Sequence, residues 1–148
     1  FTEGLINDLR LNAPHVKCSV VMPGHIGTSI FENSRKVLTG HGFADMSANE
    51  LADARRSMKA MGMPTDAMTD EQIQQMMREM ARQFEENAPT SAAEAATIIL
   101  NGVREEKWRI LIGKDAECMD QLVREAPEQA YEQLFIDRLR AAGHWRAF

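Results

Sequence analysis

The chain has too little cysteine to be built on disulfides: Cys18 and Cys118 are the only two in 148 residues. They have neither the density of a disulfide scaffold nor the spacing of metal ligands, which points to a reducing, cytoplasmic setting. Basic charge is also scarce, with 17 Lys and Arg against 22 Asp and Glu and a formal net charge of −5. No strongly basic cluster offsets that balance, so nucleic acid is excluded as a broad electrostatic partner. Long apolar runs are missing, none approaching the roughly 20 residues of a membrane span. The first residues show no basic region followed by an apolar core and cleavage site, and the chain reads as soluble, with no membrane partner. The four histidines, His15, His25, His41 and His144, are scattered without metal spacing, so no metal site is expected. Repeats and low-complexity tracts are absent. So is an initiating methionine, and because Phe1 already sits in a helical pattern the chain reads as a cut piece of something longer.

What is present centres on Val16-Lys17-Cys18-Ser19-Val20-Val21-Met22-Pro23-Gly24-His25-Ile26-Gly27-Thr28. An apolar, β-branched run suits a strand buried on both faces, and the spacing predicts one over 16–22. Pro23 brings no N–H to a ladder and Gly24 tolerates positive φ. The expectation is a sharp exit from the sheet that leaves the next backbone groups free for a ligand.

Before this run, Phe1, Leu5 and Leu9 form one apolar stripe on a helix that ends ahead of Asn12-Ala13-Pro14. A helix feeding a buried strand is half of a βαβ unit, whose other half is expected upstream. After Thr28 a short helix over 29–38 is capped by Thr28 or Ser29 and breaks at Gly40-His41-Gly42. Ser47 with Glu50 and Thr69 with Gln72 are capping-box pairs that open two further helices. The second carries Ile73, Met76, Met77, Met80 and Phe84 on one side. Eight of the ten methionines fall between Met46 and Met80. Any single one is expected to fill a small helical core, while the cluster suits a surface that repacks around apolar partners.

Ser91 with Glu94 opens a helix over 92–106 with Ala95, Ile99, Gly102 and Val103 inward, followed by a second buried strand over 108–112. Strand, helices and strand predict a parallel crossover. Segments 115–124 and 127–141 read as helices, with Tyr131, Leu134, Phe135 and Leu139 on one face. One domain is expected, divided into a helix, strand and turn over 1–28, a helical insertion over 29–88, a helix and last strand over 89–114, and helices over 115–148.

Candidates for catalysis are thin. His25 alone stands beside the turn, and a loop histidine is ordinarily solvated. Asp70-Glu71 and Glu85-Glu86 are adjacent pairs whose side chains diverge, and Gly40-His41-Gly42 follows no strand, so neither an acid–base pair nor a phosphate cradle is read there.

Taken together, the strand, the Pro23-Gly24-His25-Ile26-Gly27-Thr28 turn, the long insertion, the Ser91 helix and the strand ending at Gly113 resemble the C-terminal half of the short-chain dehydrogenase/reductases. The likeness covers roughly residues 1–114. It implies an α/β fold: the C-terminal fragment of a Rossmann-like, doubly wound parallel sheet with a long helical insertion, mostly helical by residue count. It also implies that Pro23, Gly24, Ile26 and Thr28 match the family's Pro-Gly-x-Ile/Val-x-Thr turn, which holds the nicotinamide end of NAD or NADP. Residues 29–87 would then be a methionine-rich substrate lid in which Phe31, Met76, Met77, Met80 and Phe84, with His25 beside the turn, face a bulky or apolar small-molecule substrate. The Ser91 helix and the 108–112 strand resemble elements that pair subunits, implying a homo-oligomer. The family's glycine-rich loop, catalytic serine and Tyr-x-x-x-Lys are missing. Tyr131 is the only tyrosine, with Phe135 four residues on. The implied role is therefore the clamp, lid and oligomer interface of an NAD(P)-dependent oxidoreductase, with no catalytic residue in this chain, inactive alone and partnered by an absent dinucleotide-binding half. The alternative is a stand-alone helical interaction module that docks a partner on its methionine face. A reductase half should leave the 16–22 strand with an unpaired edge, whereas a self-sufficient module should bury it.

Overall fold

A computed structural model describes residues 1–143, so His144 lies outside the described residues. The fold is α/β and mostly helical, and the chain divides into two compact units: Phe1–Ile26 together with the chain from Pro89, and Gly27–Ala88.

The first unit is built on two parallel strands. Helix α1 (Thr2–Asn12) precedes β1 (Val20–Pro23), which pairs in parallel with β4 (Arg109–Ile112), Val20 opposite Arg109 and Pro23 opposite Ile112. The crossover is the parallel one that the order of elements predicts. The strand is shorter than the expected 16–22, because β4 supplies only four partner residues. Upstream of Val20 the chain runs beside the α5–β4 connection instead, with the Ser19 hydroxyl donating to the Lys107 carbonyl at 2.7 Å and the Val20 N–H to Trp108 at 2.8 Å. Two short strands, β2 (Ile26–Gly27) and β3 (Thr90–Ser91), form a second small sheet.

Helix α5 (Ala92–Arg104) follows β3 directly. Ser91 caps it, its hydroxyl accepting from the Glu94 N–H at 3.2 Å, but the reciprocal half of the expected box is not formed. Ala95 and Gly102 are buried, and Ile98 and Ile99 complete the face that covers Ile110 and Ile112. Val103, expected inward, is exposed. The inner stripe runs 95, 98, 99, 102, and Val103 lies about 40° outside its edge at Ile99. At Gly102 a Cβ would meet Ile110 Cδ1 at 2.7 Å, so the missing side chain is what lets helix and strand approach. Helices α6 (Lys114–Glu125) and α7 (Gln133–Ala141) follow, separated by a 3-10 turn at Pro127–Gln129. Phe135 and Leu139 are buried, whereas Tyr131 and Leu134 are exposed. Helix α7 begins only at Gln133, which leaves Tyr131 off it, and Leu134 lies about 100° round the helix from Phe135.

The second unit is helical: α2 (Ile30–Thr39), a 3-10 turn at Phe43–Asp45, α3 (Ala48–Ala60) and α4 (Asp70–Glu86). Helix α2 follows Ser29 without a side-chain cap and stops at Gly40, whose φ of 83° is the left-handed conformation that glycine reaches without a Cβ penalty. Both predicted capping boxes are formed in full, Ser47 with Glu50 and Thr69 with Gln72. The Ser47 hydroxyl and backbone N–H bound to Glu50, then the Arg35 guanidinium at 2.6 Å, hold the Glu50 carboxyl down at about 2. Leu51, Met58 and Ile73 form the core, ringed by Met46, Ala54, Met63, Met68, Met76, Met77 and Met80.

Candidate functional site

The residues of the expected turn fall in both units. Pro23, Gly24, His25 and Ile26 belong to the first, Thr28 and the lid candidates to the second. In the first unit the turn leaves the carboxyl end of β1, beside the carboxyl end of β4. Open parallel sheets bind ligands outside such ends, because backbone groups there have left the ladder.

The turn's backbone is less free than its Pro-Gly pattern predicts. Pro23 does not end the pairing, since the Gly24 N–H donates to the Ile112 carbonyl at 2.9 Å and carries the β1–β4 interaction one residue further. The His25 N–H donates to Asp115 Oδ2 at 2.5 Å, and Ile26 lies in β2, paired with β3. Gly24 does not adopt positive φ either. Its glycine is required for another reason: a Cβ there would fall inside contact distance of both oxygens and the Cγ of the Asp115 carboxyl.

Asp115 is the functional candidate that sequence reasoning missed. It stands in the first turn of α6 and is 4% exposed. A carboxylate is favoured there by the partial positive charge of a helix N-terminus. Gly113, with φ 95°, ends β4 and opens α6, and a Cβ on it would lie 2.5 Å from Asp115 Oδ1 and 3.3 Å from the buried Thr90 hydroxyl. The carboxyl group is therefore wedged between the glycines that follow two adjacent strands. Oδ2 holds His25, whereas Oδ1 is buried with no hydrogen-bond partner. Leaving a buried acceptor unsatisfied costs about 1–3 kcal/mol. An aspartate in 115–124 reads as an ordinary helix-start acid, and the only signal of its role is the pair of glycines, 24 and 113, each ending a predicted strand.

The second unit holds the lid candidates. Met76, Met77 and Met80 pack against the Leu51, Met58 and Ile73 core, which is the role expected of a single methionine. Phe31 and Phe84 meet edge to face, their ring centroids 4.6 Å apart. Thr28 is half-buried.

No group of three or more His, Cys, Asp or Glu among the described residues is arranged to hold a metal ion, and among them no helix is long and apolar enough to cross a membrane. A surface hollow of about 440 Å³ lies between α5 and β4, lined by Ile98, Asn101, Gly102, Lys107 and Arg109 among others, and includes no residue of the turn. Neither a family model, nor a curated protein, nor a solved structure matches this chain.

The first-unit part of the turn suits one end of a dinucleotide and not the other. A buried carboxylate can face a neutral, amide-bearing ring but repels a pyrophosphate.

Proposed function

We propose that this chain supplies the nicotinamide-end wall of an NAD(P)-dependent short-chain oxidoreductase, acting as part of a longer polypeptide. Bound NAD or NADP would supply the hydride exchanged with a carbonyl or alcohol substrate. This chain's own contribution is to bind and orient, through Pro23, Gly24, Ile26 and Thr28, with the helical 29–88 segment as a substrate lid. The observation that carries the reading is the sheet: β1 is laddered to β4 alone among the described residues, so one of its edges has no strand, and its carboxyl end opens into the Pro23-Gly24 turn. An incomplete parallel sheet asks for more strands on that edge, which a dinucleotide-binding half would provide.

Other features agree. Helix α1 buries none of its residues fully: Leu5 and Leu9 are half-buried, and Leu11 and the preceding Phe1 are exposed. Leu100 and Val103 are exposed on α5 and offer a surface for a second copy, the homo-oligomer of this reading. Cys18 and Cys118 are free thiols, compatible with the cytoplasm. Tyr131 is exposed and is followed four residues on by Phe135, where the family's motif has a lysine. The 148 residues by themselves should not reduce carbonyls. The alternative of a methionine-faced docking module loses ground because Met76, Met77 and Met80 pack on their own unit's core.

The reading frame upstream of Phe1 decides between the two. A Tyr-x-x-x-Lys within about one or two helical turns of Phe1, preceded further upstream by a glycine-rich phosphate loop, supports the oxidoreductase. A frame that lacks both overturns it.

A further inference from the structure

We propose that Asp115 is a positioning residue for the turn after β1, pinning it in the shape that Gly24, His25 and Ile26 present to the nicotinamide; the inference rests on the reading given above. Three observations converge on this carboxylate. It is buried at 4% exposure, yet one of its oxygens has no partner. Its other oxygen takes the His25 N–H at 2.5 Å. Glycine stands at both positions, 24 and 113, where any Cβ would collide with it.

A buried, half-satisfied carboxylate is a poor way to add stability, since an apolar side chain of similar volume would fill the same notch without the desolvation cost. What a carboxylate does there, and an apolar group does not, is hold a backbone N–H at a fixed place. The Gly24 N–H is bound to β4 and the His25 N–H to Asp115, so two consecutive peptide groups are anchored to the β4–α6 corner. Glycine at 24 would otherwise let the chain rotate freely as it leaves the strand. Anchoring removes that freedom before a ligand arrives, which lowers the ordering cost of binding. The α6 helix begins at Lys114, directly after β4, so the anchor moves with the strand ends and not with the loop it holds.

The test uses the full-length product of the reading frame that contains this chain, titrated with ADP and, separately, with NADH or NADPH, whichever the wild type binds. ADP occupies only the adenine end, whereas the dinucleotide also reports the nicotinamide end. Asp115→Ala should leave ADP binding unchanged and weaken dinucleotide binding about tenfold or more, the size expected for loss of a charged hydrogen bond. Asp115→Asn, which keeps an acceptor of the same shape, should restore most of it. If Asp115→Ala does not fold, Gly24→Ala presses on the same carboxylate from the turn side and is read by the same pair of titrations. Wild type that binds neither nucleotide overturns the clamp reading and this inference with it. Wild type that binds the dinucleotide as the folded variant does overturns the inference alone. So does a folded variant that loses both ligands equally, because that assigns Asp115 a purely structural part.

Discussion

The two units hold themselves together in opposite ways. In Gly27–Ala88 the order is largely local: Ser47 bonds Glu50, Thr69 bonds Gln72, and Arg82 pairs with Glu79 and Glu86, all within four residues. In the other unit the decisive contacts span the chain, from Val20 to Trp108, Gly24 to Ile112 and His25 to Asp115. Local bonds build helices wherever the chain lies, whereas long-range ones place particular atoms beside each other at the cost of closing a long loop. The helical unit is an insertion between the two parts of the stranded one in sequence. The stranded unit has the form of a fixed platform, and it carries Pro23, Gly24 and Ile26.

Core truncation should separate the two most strongly. Ile112→Ala, at a side chain 1% exposed in β4, should cost about 2–5 kcal/mol. Amide exchange should show the loss in β1, β4 and α5 while α3 and α4 keep their protection; loss throughout would erase the distinction between the units. Ile73→Ala, at 0% exposure, should give the mirror image.

A smaller effect tests the platform's corner. Gly24→Ala should cost about 1–3 kcal/mol by driving a methyl into the Asp115 carboxyl, and clearly less when Asp115 is already alanine. Thermal melts of the two single variants and the double variant measure the coupling, and additive losses would show that the two residues do not interact. In the helical unit, Ser47→Ala should cost about 1 kcal/mol and fray α3 from its first turn, leaving the stranded unit untouched.

The smallest effect is one of pH. Folding holds Glu50 at about 2, below the ordinary value of 4.5, so the folded helical unit favours the carboxylate. Its contribution is complete above about pH 4.5 and is lost as pH falls toward 2. Urea denaturation followed at α3 amides should show stability falling across that window, and Glu50→Gln should flatten the slope. An unchanged slope in that variant would move the acid sensitivity elsewhere.

The same contrast explains what could be read from the residues alone. The boxes at Ser47 and Thr69, the glycine stop at Gly40 and the parallel pairing of the two strands follow from residue types at fixed spacing. The truncation of β1 to Val20–Pro23 does not, because its length is set by β4. Nor does the reason for Gly24, which looks like a φ requirement and proves to be a matter of room for a carboxylate that lies 91 positions further along the chain. Val103 and Tyr131 lie off the covered faces for different reasons: Val103 sits just past the edge of the stripe that packs on β4, and Tyr131 precedes the start of α7.

The most direct test of the clamp is a comparison of amide spectra of the full-length protein bound to NADH and to ADP-ribose, ligands that differ by the nicotinamide ring. The Gly24, His25 and Ile26 amides should shift between the two complexes, with smaller changes at Gly113 and Asp115, while α7 stays unmoved. If both ligands bind and the three turn amides are superimposable in the two spectra, the nicotinamide does not meet this turn.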